Sequence, residues 1–415
     1  MRRPKSIKGL KASPPNSNSG VIFLAKSKWS QAVHAGKDLK VPRTQPTVQP
    51  IYQTSVFSFN SLEEVDQAFS GEEGAFIYSR YGNPTVHALE QALAVLESAC
   101  SGIVTSSGMA AITATLLSFC SAGDHIVAAE DLYGGTHALV ERELSRFGIS
   151  TSFVDATLLD KVEAAIRPNT KAIFVETISN PLMRLVDFSA LAVFKRAYKL
   201  KLVVDNTFAS PMLCRPFELG ADLVVESLTK YINGHSDVTA GAVVGSADDI
   251  ERIRPLQIQL GATASPFDAW LVMRSIGTLP LRMRQHTESA LILANFLTEQ
   301  AGVLRVHYPG LLGHPQHYLA QRQLSGFGGM LSFVVEGGSY GAEQLVKALD
   351  MVDFVPSLAG VATTISHPAK TSHRALTSLA RARLGIDEGM IRVSVGLEDP
   401  ADICADFAQA LRCHA

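Results

Sequence analysis

Six short runs of β-branched and small apolar residues constrain this chain more than any other feature. They are His125–Ala129, Thr151–Val154, Ala172–Val175, Lys201–Val204, Asp222–Val225 and Gly241–Val244. Hydrophobicity that is continuous rather than alternating over so short a length marks strands buried on both faces. Thr136–Phe147 and Phe188–Tyr198 instead repeat apolar residues at three- and four-residue spacing, the pattern of a helix with one buried side. Strands that alternate with crossover helices build a largely parallel sheet covered by helices, so the class is α/β. The alternation begins near Ser61 and fades after about residue 250, where Phe267–Met283 reads as one long helix leading into a second domain. The predicted division is an N-terminal tail and arm over 1–60, a larger ligand-binding domain over 61–257, and a smaller C-terminal α/β domain over 258–415.

Composition excludes several functions. A net charge of -2 gives no broad basic field, so nucleic acid is not an expected partner. No apolar run approaches the roughly 18 residues that span a bilayer, so no membrane association is expected. The five cysteines are odd in number and form no C-x-x-C pair, which argues against a disulfide framework and a structural zinc site, and for a reducing, cytoplasmic setting. The first 37 residues carry eight Lys or Arg and no acid, and read as a tail, with an organellar leader as the alternative. Their longest apolar stretch, Val21–Ala25, is shorter than the roughly 7–15 residues of a secretion signal core.

In parallel sheets ligands gather beyond the carboxyl ends of the strands, and Glu176, Asp205 and Ser227 all fall there. Lys230 follows Ser227 and Thr229 at the end of an apolar strand, where a lysine can hold a carbonyl cofactor as a Schiff base while the two hydroxyls grip a phosphate. Asp205 supplies the carboxylate that a protonated pyridine nitrogen requires. Taken alone, Lys230 is a solvated loop lysine and Asp205 a cap; taken together they point to pyridoxal phosphate. Ser107-Gly108-Met109 opens an apolar helix, so its free N–H groups form an anion cradle unless Ser107 is simply an N-cap. Arg80 and Tyr78 offer a bidentate fork and a hydroxyl to the same anion, or belong to a surface loop. Tyr133 stands between a strand and a helix, where its ring either lies on a pyridine face or packs in the core. His367 and His373 are six apart with no Cys or acid between them, and read as loop residues rather than metal ligands. No G-x-G-x-x-G follows a strand, which argues against a dinucleotide enzyme.

Several segments together resemble the trans-sulfuration enzymes. They are Tyr78-Ser79-Arg80 with Gly82-Asn83-Pro84-Thr85, Ser107-Gly108-Met109, Tyr133-Gly134-Gly135-Thr136, and Glu176-Thr177 with Ser179-Asn180-Pro181. Val204-Asp205-Asn206-Thr207, Thr229-Lys230-Tyr231 with Asn233–Asp237, and Arg392 with Ser394–Glu398 complete the set, in order over roughly residues 30–411. That family contains cystathionine γ-synthase, cystathionine γ- and β-lyases, methionine γ-lyase and acylhomoserine sulfhydrylases.

The resemblance implies the type I fold of pyridoxal phosphate enzymes, with a seven-stranded, mostly parallel sheet. It implies that Lys230 carries the cofactor and shuttles protons, that Asp205 holds the ring nitrogen, that Asn180 bonds the phenolic oxygen and that Tyr133 stacks on the ring. Gly108, Met109, Ser227 and Thr229 would bind the phosphate, with Tyr78 and Arg80 reaching in from the neighbouring subunit of a homodimer, itself paired into a homotetramer. Arg392 would clamp the carboxylate of an amino-acid substrate, and Ser357 would steer the lysine. The implied reaction is γ-elimination or γ-replacement on a sulfur or O-acyl amino acid, of the cystathionine γ-lyase or γ-synthase kind, with a sulfhydrylase or methionine γ-lyase as the alternative. A silent member kept as a binding partner is the different-class alternative. Gly135 stands where methionine γ-lyases commonly carry cysteine, and Ala362 where cystathionine-specific members carry glutamate, so the two positions pull against different labels.

Overall fold

The computed structural model describes Thr44, residues 46–71 and residues 74–412. The basic segment read as a tail lies outside the described residues. The chain divides after Val48; of the unit before that point only Thr44 and residues 46–48 are described, all exposed. All the described helices and strands belong to the body from Gln49 onward.

A seven-stranded sheet forms its larger part, from β1 (Ser101–Thr105), β2 (His125–Ala129), β3 (Ser150–Val154), β4 (Thr170–Glu176), β5 (Lys201–Asp205), β6 (Leu223–Glu226) and β7 (Gly241–Gly245). Their order is β1-β7-β6-β5-β4-β2-β3. β3, β2, β4, β5 and β6 run parallel, and β7 is antiparallel to both its neighbours, β1 and β6. Every residue of β2, β6 and β7 is buried, as double-sided helical cover demands. The six runs named from sequence are all strands. β1 was not named, because Ser101-Gly102-Ile103-Val104-Thr105 has too little apolar length to stand out.

A smaller sheet is built from β8 (Val303–His307), β9 (Met330–Val335), β10 (Asp353–Phe354), β11 (Thr364–Ser366) and β12 (Met390–Ser394), in the order β10-β11-β12-β9-β8. It has its own apolar core, in which Leu331, Phe333, Ile391 and Val393 meet Leu293, Leu297, Ile403 and Phe407 from helices Leu279–Thr298 and Pro400–Arg412.

Two helix expectations need correction. Phe267–Met283 is not one helix: Pro266–Ile276 ends at Gly277, and a new helix spans Leu279–Thr298. Pro280 explains the break, since it lacks an N–H and its ring collides with the carbonyl four residues earlier, so it is accepted only in a first turn. Thr136–Phe147 is helical but irregular: α-helix Gly134–Ala138 passes into a π-turn over Leu139–Glu143 before Leu144–Arg146. Helix Phe188–Tyr198 forms as read, capped by the Asp187 carboxylate. Among the described residues no helix is long and apolar enough to cross a membrane, and Cys100, Cys120, Cys214 and Cys404 are unbridged.

Candidate active site

The carboxyl ends of β4, β5 and β6 open into a cleft of about 430 Å³. Of the residues singled out from sequence, Gly108, Met109, Tyr133, Asn180, Asp205, Ser227, Thr229, Lys230 and Arg392 line it. Ser357 adjoins it between the lining residues Pro356 and Leu358, and its hydroxyl accepts a hydrogen bond from Lys230 Nζ at 3.0 Å. Tyr78 and Arg80 do not line the cleft of their own chain. The Arg80 guanidinium lies over the rings of Tyr78 and Tyr81 and donates to the carbonyl of Ile258 at 3.3 Å.

Lys230 is held by what flanks it. Leu228 and Tyr231 are fully buried, and the buried Arg282 donates to the carbonyls of Tyr231 and Ile232 at 2.6 and 3.1 Å. Burial, and secondarily the Arg392 charge, lowers the Lys230 pKa, so more of its amine is neutral and nucleophilic near neutral pH.

Asp205 and Glu176 are register neighbours on β5 and β4. The Thr207 N–H donates to Asp205 at 3.0 Å, and the Tyr133 N–H donates to Glu176 at 2.6 Å. Burial raises both carboxyl pKa values, and the charge of Asp205 adds to the rise of Glu176. Two adjoining buried acids that accept only backbone N–H groups here suit a ligand that brings a positive charge, such as a protonated ring nitrogen.

The segment read as an anion cradle is built from close packing. Ser107 caps helix Gly108–Phe119 by accepting from the Ala110 N–H at 3.1 Å, which leaves the first N–H groups of the helix free. A Cβ on Gly108 would come to 3.0 Å from the Ser227 Cβ, so glycine lets the helix end and the strand end meet there without displacing Ser227. The Thr229 hydroxyl is engaged with the Ala240 backbone, donating at 3.2 Å and accepting at 3.0 Å.

On the opposite wall Arg392, on β12, donates to Asn180 Oδ1 at 3.1 Å and to the Ser357 carbonyl at 3.3 Å. Burial lowers its pKa to about 10, which leaves it a cation at neutral pH. Its buried Nε has no acceptor. A charged donor left short of a partner is what an incoming carboxylate would satisfy. The Asn180 carbonyl oxygen is spent on Arg392, so its amide nitrogen is the group left for another acceptor.

Sequence reasoning assigned no role to several lining residues. Thr207 positions Ser227 by accepting its N–H at 2.9 Å, and Glu176 orients Tyr133; both stand in motifs of the family resemblance. Thr371 and Ser372 come from a loop with no periodicity to announce it. His367 and His373 are buried loop residues, bonded to the Glu388 carbonyl and the Ser372 hydroxyl. Among the described residues no cluster of three metal-binding side chains occurs.

Comparison with known proteins places this geometry. A model of the family described as Cys/Met metabolism PLP-dependent enzyme matches residues 29–412. The chain is 44% identical to an O-succinylhomoserine sulfhydrylase of Pseudomonas aeruginosa, over 88% of this chain and 90% of that one. It is 43% identical to an L-methionine gamma-lyase of Porphyromonas gingivalis, over 87% and 92%. Among solved structures, cystathionine gamma synthase of Xanthomonas oryzae pv. oryzae in complex with aminoacrylate and cysteine superposes with a TM-score of 0.84 at 40% identity, over 88% of this chain and 92% of that one.

Proposed function

This chain belongs to the Cys/Met metabolism PLP-dependent enzymes, and from that premise we propose that it catalyses γ-elimination or γ-replacement on a sulfur-containing or O-acylated amino acid. The observation that carries the reading is the union, in one cleft, of the Lys230 amine held on Ser357, the adjoining carboxyl groups of Glu176 and Asp205, and an arginine, Arg392, with an unmatched buried N–H. When bound, pyridoxal phosphate supplies an electron sink for the carbanion at the substrate α-carbon.

In this reading Asp205 would hold the ring nitrogen, Asn180 the phenolic oxygen and Tyr133 the ring, while the N–H groups of Gly108 and Met109 with the Ser227 hydroxyl would hold the phosphate, joined by the Thr229 hydroxyl once it turns from the Ala240 carbonyl. Arg392 binds the substrate α-carboxylate through its fork. Lys230 would carry the cofactor and move the substrate's α- and β-protons, with Ser357 positioning its amine. The γ-substituent leaves as a thiol or carboxylate. Water or a second thiol then decides between an oxo acid with ammonia and a new thioether. Tyr78 and Arg80, outside their own cleft, complete the phosphate site of a second copy in a homodimer, with a homotetramer as the full assembly and a reducing, cytoplasmic setting.

Hydride reduction of the holoenzyme followed by peptide mapping tests the site. The tag belongs on Lys230, and a tag elsewhere, or a colourless protein, overturns the scheme. Mass spectrometry of products from O-acylhomoserine with cysteine, from cystathionine and from methionine separates replacement from elimination. The named relatives include both a sulfhydrylase and methionine γ-lyases, so that panel also decides between the cystathionine reading and its alternatives.

A further inference from the structure

Behind the cleft lies a second pair of acids that the proposed chemistry does not use. Glu97 closes helix Pro84–Leu96 and Glu226 ends β6, immediately before Ser227. Both are buried and in hydrogen-bond contact with each other. Three of their four carboxyl oxygens, Glu97 Oε2 and both of Glu226, meet no donor. The fourth, Glu97 Oε1, accepts from Asn206 Nδ2 at 2.9 Å. The other amide hydrogen of Asn206 goes to the Cys214 carbonyl at 3.0 Å, and the same amide, close to Glu226, opposes the rise of its pKa. Two buried carboxylates in contact cannot both stay ionised without cations, and a proton between them supplies the missing donor.

The pair is also wired to the cleft. Thr177 donates to Asn206 Oδ1 at 2.7 Å. Thr177 follows Glu176 and Asn206 follows Asp205, so this chain of bonds ties together the ends of β4, β5 and β6 from the face opposite the two cleft acids. We propose that Glu97 and Glu226 share a proton and act as a positioning pair that fixes Asp205 and Ser227 from beneath.

The groups that face the pair are few. Asp205 adds to the rise of Glu226, Glu218 adds to that of Glu97, and Cys214 stays a neutral thiol. Arg215, a cation that acts on Glu97, is exposed and bonded to Glu218 at 3.1 Å. Burial is the largest cause for both acids and raises Glu97 to about 7.

The spectroscopic test uses the full chain without cofactor, so its outcome is independent of the catalytic reading. An infrared difference spectrum of wild type minus Glu97→Gln/Glu226→Gln at neutral pH should show the deuterium-sensitive carbonyl band of a protonated carboxyl group. The single variant Glu226→Gln should lose the same band, because its amide donates to Glu97 and lets that carboxylate ionise. Absence of the band from the difference spectrum overturns the shared proton. Glu226→Gln should bind pyridoxal phosphate like wild type, whereas Glu226→Leu, which strands Glu97 without a donor, should bind it more weakly. Equal cofactor affinity in wild type and Glu226→Leu overturns the positioning role, and should Glu226→Leu not fold, Glu97→Leu makes the same comparison.

Discussion

Replacing Asp205 by Asn should move activity and stability in opposite directions. The amide is isosteric and its oxygen still accepts from the Thr207 N–H, which now holds Oδ1 at 3.0 Å, so the strand end keeps its shape. What disappears is a charge. A nearby opposite charge commonly holds a pKa up or down by about 1–3 units, or about 1.4–4 kcal/mol at 1.36 kcal/mol per unit. If Asp205 is what keeps the ring nitrogen protonated, its loss should lower kcat by about 10- to 1000-fold at neutral pH.

Stability of the cofactor-free protein should change the other way. Asp205 and Glu176 both have folded pKa values raised above the usual carboxylate range, mainly by burial. Their contribution to stability is therefore whole below that range and is lost as pH rises through the raised values. Removing Asp205 deletes one such loss and relieves Glu176 of a neighbouring charge. Thermal unfolding across pH 4 to 8 should thus show cofactor-free Asp205→Asn melting above wild type near neutrality, with the gap closing toward acid. Steady-state kinetics on the loaded enzyme supplies the other half. An active Asp205→Asn, or a cofactor-free variant that melts below wild type at neutral pH, would refute the reasoning.

Three other outcomes rest on the same geometry. Arg392→Lys keeps the charge but cannot span Asn180 and the Ser357 carbonyl; at about 1.5–3 kcal/mol per charge-assisted hydrogen bond, KM for the amino acid should rise by roughly 10- to 100-fold, with kcat less affected. Chains carrying Lys230→Ala and chains carrying Arg80→Ala should each be nearly inactive but regain activity when unfolded together and refolded as mixed dimers, and no recovery would place Arg80 outside any shared site. Gly134→Ala would normally favour a helix, yet here the new methyl runs into the Ser372 carbonyl oxygen; overpacking of about 1–3 kcal/mol should lower the melting temperature, and the displaced Tyr133 should raise KM.

The parts of this protein that were legible in its sequence are those where one residue type answers one local demand. A strand buried on both faces must be apolar throughout, so β2, β5 and β7 announced themselves, whereas β1 carries Ser, Gly and Thr at three of five positions and did not. That Lys230, Asp205 and Gly108 line one cleft could be read because ligands gather at strand ends in a parallel sheet and a helix start beside a hydroxyl-rich turn suits an anion. Pro280 was equally visible, and giving it its usual weight as a helix start would have divided Phe267–Met283 correctly. The Glu97–Glu226 contact was not legible in that way. It joins residues 129 positions apart (226 minus 97) through a helix end and a strand end, and each glutamate alone looks like any solvated one. What makes the pair unusual is that folding removes water and cations from both at once, a property of the tertiary enclosure that no local pattern encodes. Thr371 and Ser372 escaped for the related reason that a loop joins the cleft by where its ends are anchored, here by β11 on one side and helix Ser378–Leu384 on the other, and not by any period of its own.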